Sequence, residues 1–245
     1  MNKEARPRIA VAYSPGTNCH EETAFAVELA GGEGVIVSLQ DLMLGRTGLG
    51  DYQGLIFPGG FSYGDHVAAG RVFAVHLIAR LRNELQEFAR QRPVMGICNG
   101  YQVLTETGLL PGGIVGERRG ALTQNRSARF ESRWVRLLVA STASFWTEGL
   151  AGRILRLPVA HAEGRLVLGP DTDVQPAFFY VDQYDWPTEE YPANPAGSPH
   201  GTAGIVDASG LVLGLMPHPE RASLAIHGST DGLALFRNLV HRCSG

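Results

Sequence analysis

Between Arg92 and Glu106 the sequence R-P-V-M-G-I-C-N-G-Y-Q-V-L-T-E changes periodicity with no turn residues between its two halves. Pro93 to Ile97 is an apolar run suited to a short strand and Asn99 to Thr107 carries helical spacing, so Cys98 is placed on an abrupt strand-to-helix turn. Such a turn holds its side chain proud of a sheet, as a nucleophile elbow does. Gly96 and Gly100 flank the cysteine where side chains would collide with the adjoining strand and helix. The N–H of Asn99 and the positive end of the helix then favour thiolate over thiol and stabilise a developing oxyanion. The plain alternative is a buried structural cysteine at a strand end.

Around this turn the chain reads as β-α-β. Arg8 to Tyr13 is a strand, His20 to Ala30 a helix with Asn18 as its cap and Glu21 reaching back, and Val35 to Leu39 the next strand. Asp41 to Asp51 is a polar connection. Gly54 to Phe57 is a strand running into P-G-G-F-S-Y-G-D-H, and Arg71 to Gln91 a helix with Val75, Ile78, Leu81, Leu85 and Phe88 on one face. Glu117 to Phe130 reads as an exposed crossing, followed by short strands over Ser132–Val139, Arg153–Val159, Arg165–Leu168 and Gln175–Val181. Asp182 to Thr202 is a long loop, Ala203–Asp207 and Leu211–Met216 a hairpin, and Gly232 to His241 a closing helix. The expected architecture is α/β: a single domain over residues 1–245, with an open, mostly parallel sheet flanked by helices and additional mixed or antiparallel strands.

Composition narrows the function. A formal charge of −3 leaves no basic footprint for nucleic acid. No apolar run approaches the roughly 18 residues of a membrane span, and M-N-K-E-A-R-P-R lacks the apolar core of a signal peptide, so a cytoplasmic location is expected. Cys19, Cys98 and Cys243 are spaced too widely for a zinc or disulfide framework, and no metal site is expected.

A thiolate needs a base, and M-P-H-P-E offers one. Prolines on both sides of His218 favour an extended segment in which His218 and Glu220 point the same way. Glu220 can then fix one imidazole tautomer while the other ring nitrogen faces Cys98. In P-G-G-F, the N–H of Gly60 or Phe61 can join that of Asn99 in an oxyanion hole, and Gln102 lies one turn beyond Cys98 on the same helix face. His20, His76, His200 and His241 lack such a context.

Together G-I-C-N-G-Y-Q, P-G-G-F-S-Y-G-D and P-H-P-E-R resemble the class I (triad) glutamine amidotransferases, whose fold is flavodoxin-like. F-S-Y-G-D and N-R-S-A-R-F are similar to the phosphoribosylformylglycinamidine synthase branch of that class, and nearly the whole chain shares the likeness, V-A-H-A-E-G-R included. The resemblance implies that Cys98 attacks the glutamine carboxamide, His218 protonates the leaving ammonia and Glu220 orients His218. It implies Gly60 and Asn99 as oxyanion donors, and Phe61, Gln102 and the backbone around His161 to Gly164 as glutamine contacts. It further implies hydrolysis through a glutamyl thioester and transfer of ammonia to a large synthetase subunit that carries ATP and magnesium, this chain holding no cofactor. Whether a third small subunit joins is left open. Arg126 and Arg129 stand either at the docking face or in an ordinary solvated loop. The insertion Q-Y-D-W-P-T-E-E-Y-P-A departs from the branch's pattern. A thiol amidohydrolase or peptidase of similar fold, and a non-catalytic regulatory subunit, are the competing readings.

Overall fold

The computed structural model describes residues 6–141 and 144–245. Among the described residues eleven strands occur in chain order: β1 Arg8–Tyr13, β2 Glu33–Ser38, β3 Gly54–Phe57, β4 Val94–Ile97, β5 Gly120–Thr123, β6 Glu131–Val139, β7 Ile154–His161, β8 Arg165–Leu168, β9 Gln175–Tyr180, β10 Thr202–Val206 and β11 Val212–Leu215. The helices are α1 His20–Leu29, α2 Leu39–Met43, α3 Arg71–Gln91, α4 Asn99–Thr107 and α5 Leu233–Ser244. A nine-stranded sheet runs β2-β1-β3-β4-β11-β10-β9-β6-β7, and β5 pairs separately with β8. The order divides it into a parallel half, β2 through β11, and an antiparallel half from β10 to β7.

The division follows from the sequence. Strands β1 to β4 follow one another through helical crossovers, and the central strands of the parallel half are apolar throughout: β3 (GLIF), β4 (VMGI) and β11 (VLGL) are buried at every position. In β6 and β7 buried residues alternate with more exposed ones, as a sheet with one wet face requires. Helix α1 packs on α5 and α3 on α4, so the parallel half carries a helical layer on each face.

Two features of this layout position the site. Strands β3, β4 and β11 lie side by side in parallel register, with Phe57 opposite Gly96 and Leu215 opposite Ile97, so their carboxyl ends open on one edge. In open α/β sheets ligands bind outside those ends. The antiparallel half also curls back over that edge. Its last strand, β7, accepts the His218 N–H at Pro158 O (2.8 Å), and the Cys98 thiol lies 3.6 Å from Ala160 O.

Three expectations about these elements need correcting, and the long loop gains an anchor. Helix α1 starts after Cys19 with no side-chain cap; the Asn18 amide oxygen instead accepts from the Cys19 thiol at 3.3 Å. In α3, Val75 is 55% exposed, and the buried stripe is Phe73, Leu77, Leu81, Leu85 and Phe88. That stripe keeps the helical period but begins two residues earlier, because Phe73 packs edge-on against Phe57 beneath the elbow. The 117–130 crossing contains β5, which buries Leu122 against β8. The 182–202 loop is anchored by Asn194, which is buried and whose amide binds the Gly197 and Ser198 N–H groups and the Thr188 and Ser198 carbonyls.

Candidate active site

Cys98 has φ 49° and ψ −104°, a conformation outside the regions open to an L-residue without strain. The two glycines make it possible. A Cβ on Gly100 would sit 1.8 Å from Phe57 O, and one on Gly96 would sit 2.6 Å from Gly100 O. Strand β3, strand β4 and helix α4 therefore approach closely enough to grip the turn on both sides. The Cys98 N–H is tied to Leu215 O at 2.8 Å, which couples the elbow to the end of β11.

From that same end the chain turns through Met216 and Pro217 to His218. Pro219 adopts helical angles (φ −67°, ψ −30°) and Glu220 opens a short 3-10 turn, so the segment is bent and not extended as the prolines suggested. The bend still brings His218 Nδ1 to 2.6 Å from Glu220 Oε1, both side chains being buried. Burial opposes a charge on His218, but the Glu220 carboxylate and the nearby Cys98 sulfur outweigh it and hold the imidazole pKa well above its ordinary value. Among the described residues its Nε2 finds no well-formed hydrogen bond, and it is left for the reacting groups.

A second thiol stands against this ring. Gly59 leaves a gap whose missing Cβ would lie 2.7 Å from His218 Cε1 and 3.1 Å from Cys19 Sγ. Donor atoms of Cys19, His218 and Glu220 lie within 4.8 Å of one another, close enough to suggest a cation site. The Arg221 guanidinium already fills that role: it donates to Cys19 Sγ at 3.0 Å and to Glu22 Oε1 at 2.8 Å. Burial raises the Cys19 pKa, so this sulfur stays a thiol.

Beside Cys98 lies a narrow cavity of ≈ 50 Å³ lined by Gly60, Phe61, Asp65, Ala69, Gln102 and the end of β7 with the turn that follows it, Ala160 to Glu163. Gly60 is at φ 141°, and a Cβ there would lie 2.7 Å from Asn18 N, so the loop before α1 packs under P-G-G. Of the two candidate donors, Phe61 is already committed, its N–H bonding Gly16 O at 3.0 Å. Gly60 and Asn99, the latter on the open first turn of α4, remain. Phe61 itself is 46% exposed at the mouth, its ring 6.5 Å from that of Phe130.

Gln102 donates to Glu163 O at 2.6 Å and accepts from the Asn99 side chain at 2.9 Å, so its amide braces the cavity wall. Gly164 acts by being small: a Cβ would lie 2.5 Å from the His161 ring. Asp65 and Asn125 were not singled out in the sequence, although Asp65 ends F-S-Y-G-D and Asn125 begins N-R-S-A-R-F, and Glu163 entered only through its backbone. Asp65 accepts from Asn99 Nδ2 at 3.1 Å; burial, with Glu163 nearby, pushes its pKa up to about 6 against the pull of the Gly70 N–H. A carboxylate held reluctantly at a pocket wall suits a cationic ligand group.

A cysteine on a strained turn, a charged histidine from the neighbouring strand end, a glutamate at its far nitrogen and free backbone N–H groups constitute an amide-cleaving arrangement. Across residues 6–240 the sequence matches the family described as the CobB/CobQ-like glutamine amidotransferase domain. The chain belongs to that family.

Among curated members of this amidotransferase family, the chain is 42% identical to the phosphoribosylformylglycinamidine synthase subunit PurQ of Pyrococcus furiosus, over 95% of this chain and 97% of the relative. It is 41% identical to the same-named subunit of Methanopyrus kandleri, over 96% and 98%. Among solved structures it is similar to a chain of PurLQS from Thermotoga maritima, with TM-score 0.81 and 36% identity over 96% of this chain and 98% of the other. A glutamine amidotransferase from Thermotoga maritima, 16% identical with TM-score 0.59 over 98% of both chains, shares the amidotransferase fold.

Proposed function

We propose that this chain is the glutaminase subunit of phosphoribosylformylglycinamidine synthase, a single domain that hydrolyses glutamine to glutamate and hands the ammonia to an ATP- and magnesium-dependent synthetase partner. The observation that carries the reading is the alignment of three strand ends: β3 supplies Gly60, β4 supplies Cys98 and β11 supplies His218, all at one edge. The matched family's description supports glutamine as the substrate, and the relatives' name, a subunit of a synthase, supports a partner.

In this reading the Cys98 thiolate adds to the carboxamide carbon, and the developing oxyanion is received by the Gly60 and Asn99 N–H groups. His218 then gives its Nε2 proton to the leaving nitrogen, so that ammonia departs and a glutamyl thioester remains on the sulfur. Now neutral, His218 takes a proton from a water that attacks the thioester carbon. Glutamate leaves and the thiolate–imidazolium pair is restored. Glu220 keeps the Nδ1 proton of His218 in place throughout, and its negative charge compensates the imidazolium in a buried setting.

Ammonia needed elsewhere is best made next to its acceptor. The apolar pair Phe61 and Phe130 at the cavity mouth, with Arg126 and Arg129 close by in sequence, is the edge we assign to the synthetase. No helix among the described residues is long and apolar enough to cross a membrane, and we place the complex in the cytoplasm. The test is release of glutamate and ammonia from glutamine by the chain alone and with its synthetase, ATP and magnesium. Slow release alone and at least a tenfold rise in the complex is expected; equal rates with and without the partner would contradict the coupling, and cleavage of a general peptide but not glutamine would contradict the substrate.

A further inference from the structure

One polar atom on the cavity wall has no part in the steps above. His161 ends β7 beside Ala160, lines the cavity next to Cys98 and is 3% exposed, and its Nε2 has no hydrogen-bond partner among the described residues. A buried nitrogen without a partner is costly, so one left at a binding cavity calls for a ligand group. Which group depends on whether this nitrogen donates or accepts.

Asn125 settles the question. Its Nδ2 donates to two carbonyls, Arg129 O and His161 O, each at 2.9 Å, which fixes the orientation of the amide. Its Oδ1, which can only accept, receives the Gly164 N–H at 3.0 Å and faces His161 Nδ1 at 3.0 Å. The proton of the neutral ring therefore sits on Nδ1, and Nε2 presents a lone pair. Burial lowers the His161 pKa to about 3, with the positive charges of His218 and Arg133 adding to the effect, so the ring stays neutral. The same ring is surrounded by Glu131 directly across the strand pair, and by Asp65, Glu163 and Cys98 around the cavity.

We propose that His161 Nε2 is a glutamine-binding acceptor, taking a hydrogen bond from an N–H of the substrate, and that Asn125 is the positioning residue that holds the ring in the accepting tautomer. The proposal rests on the glutaminase reading. It gives N-R-S-A-R-F a role behind the pocket wall, through Asn125, that differs from any role of its arginines at the surface. It also accounts for Gly164, whose missing side chain is what lets the imidazole lie against the backbone. Glutamine offers two N–H sources, the carboxamide and the α-ammonium, and both satisfy the chemistry of a buried lone pair.

The experiment is steady-state glutaminase kinetics in the complete complex. His161→Phe, which keeps a ring and removes the acceptor, is expected to raise KM for glutamine roughly 10- to 100-fold while kcat changes less than about threefold. Asn125→Asp tests the tautomer: a carboxylate at Nδ1 favours the imidazolium, whose Nε2 donates. Its KM relative to wild type should rise as pH falls from about 9 to 6, a trend that a mere packing defect would not produce. Glutamate γ-methyl ester separates the two sources. Loss of the His161→Phe penalty with the ester assigns the carboxamide N–H, and retention of the penalty assigns the α-ammonium. A His161→Phe complex with the wild-type KM, or a pH-independent KM ratio in a folded Asn125→Asp complex, overturns the proposal alone. A wild-type complex that leaves glutamine intact overturns the functional reading beneath it.

Discussion

His218 and Glu220 are separated by one proline in sequence and meet at 2.6 Å, Nδ1 to Oε1, with both side chains buried. Their meeting decides the protonation state of the site. The burial that would discharge the imidazole is outweighed by the glutamate and by the Cys98 sulfur, so the environment favours the protonated, proton-donating form of His218.

The pH dependence of the reaction follows with a definite sign. The folded-state pKa of His218 is raised, so the charged form persists below that value and is lost as pH rises through it, setting the alkaline limb of kcat/KM above 6.5. Glu220→Gln keeps an acceptor oxygen but removes the charge. The alkaline limb should move to lower pH by about 1 to 2 units, and kcat should fall by roughly 10²- to 10⁴-fold. A pH–rate profile in the complex checks both; an unmoved limb would mean that another group titrates.

Asp65 links stability to binding in the opposite direction. Its pKa is raised to about 6, so between the unfolded value near 4 and that point the folded chain holds a proton the unfolded chain has lost, and folding is penalised increasingly up to pH 6 and constantly above it. Asp65→Asn should therefore raise Tm at pH 8 and change it little at pH 4. KM for glutamine should rise several-fold in the same variant if the carboxylate faces the substrate ammonium. Thermal scans at the two pH values, with kinetics alongside, measure the two effects separately.

Glycine at position 100 is required by space. An alanine in its place would put a Cβ 1.8 Å from the Phe57 carbonyl oxygen, and neither backbone can yield without opening the β3–α4 contact. Gly100→Ala should cost about 3 kcal/mol or more, seen as a Tm loss of roughly 6–12 °C. Gly50→Ala, at a glycine with nothing within 4 Å, should leave Tm within about 2 °C. Equal effects at the two positions would remove the steric account of the elbow.

Much of this was legible in the chain. The Cys98 turn was readable because strand and helix periodicities abut there, and the bounds of β3, α3, α4 and β8 follow directly from their patterns. Proline chemistry brought attention to His218 and Glu220 but gave the wrong backbone: prolines restrict their neighbours, yet Pro219 itself is equally at home in a helical turn, and tertiary contacts chose that one. Asn125, Asp65 and the Glu163 side chain were hidden for a different reason. Each acts across the fold, Asn125 on His161 and Gly164, Asp65 on Asn99, Glu163 on Gln102 and the Ala69 N–H at 3.3 Å, and no local pattern encodes a partner that distant. Cys19 likewise became a neighbour of His218 only when the first loop folded under P-G-G.

The central claim is that Cys98, alone among three thiols, is activated to attack a glutamine carboxamide. Intact-mass and peptide mass spectrometry after exposure to a chloroketone analogue of glutamine measures this directly. The account predicts one adduct, on Cys98, prevented by excess glutamine, with Cys19 and Cys243 unmodified and Cys98→Ala inert. Modification of Cys19 or Cys243 in place of Cys98, or glutamine-dependent synthesis retained by Cys98→Ala in the assembled complex, would contradict it.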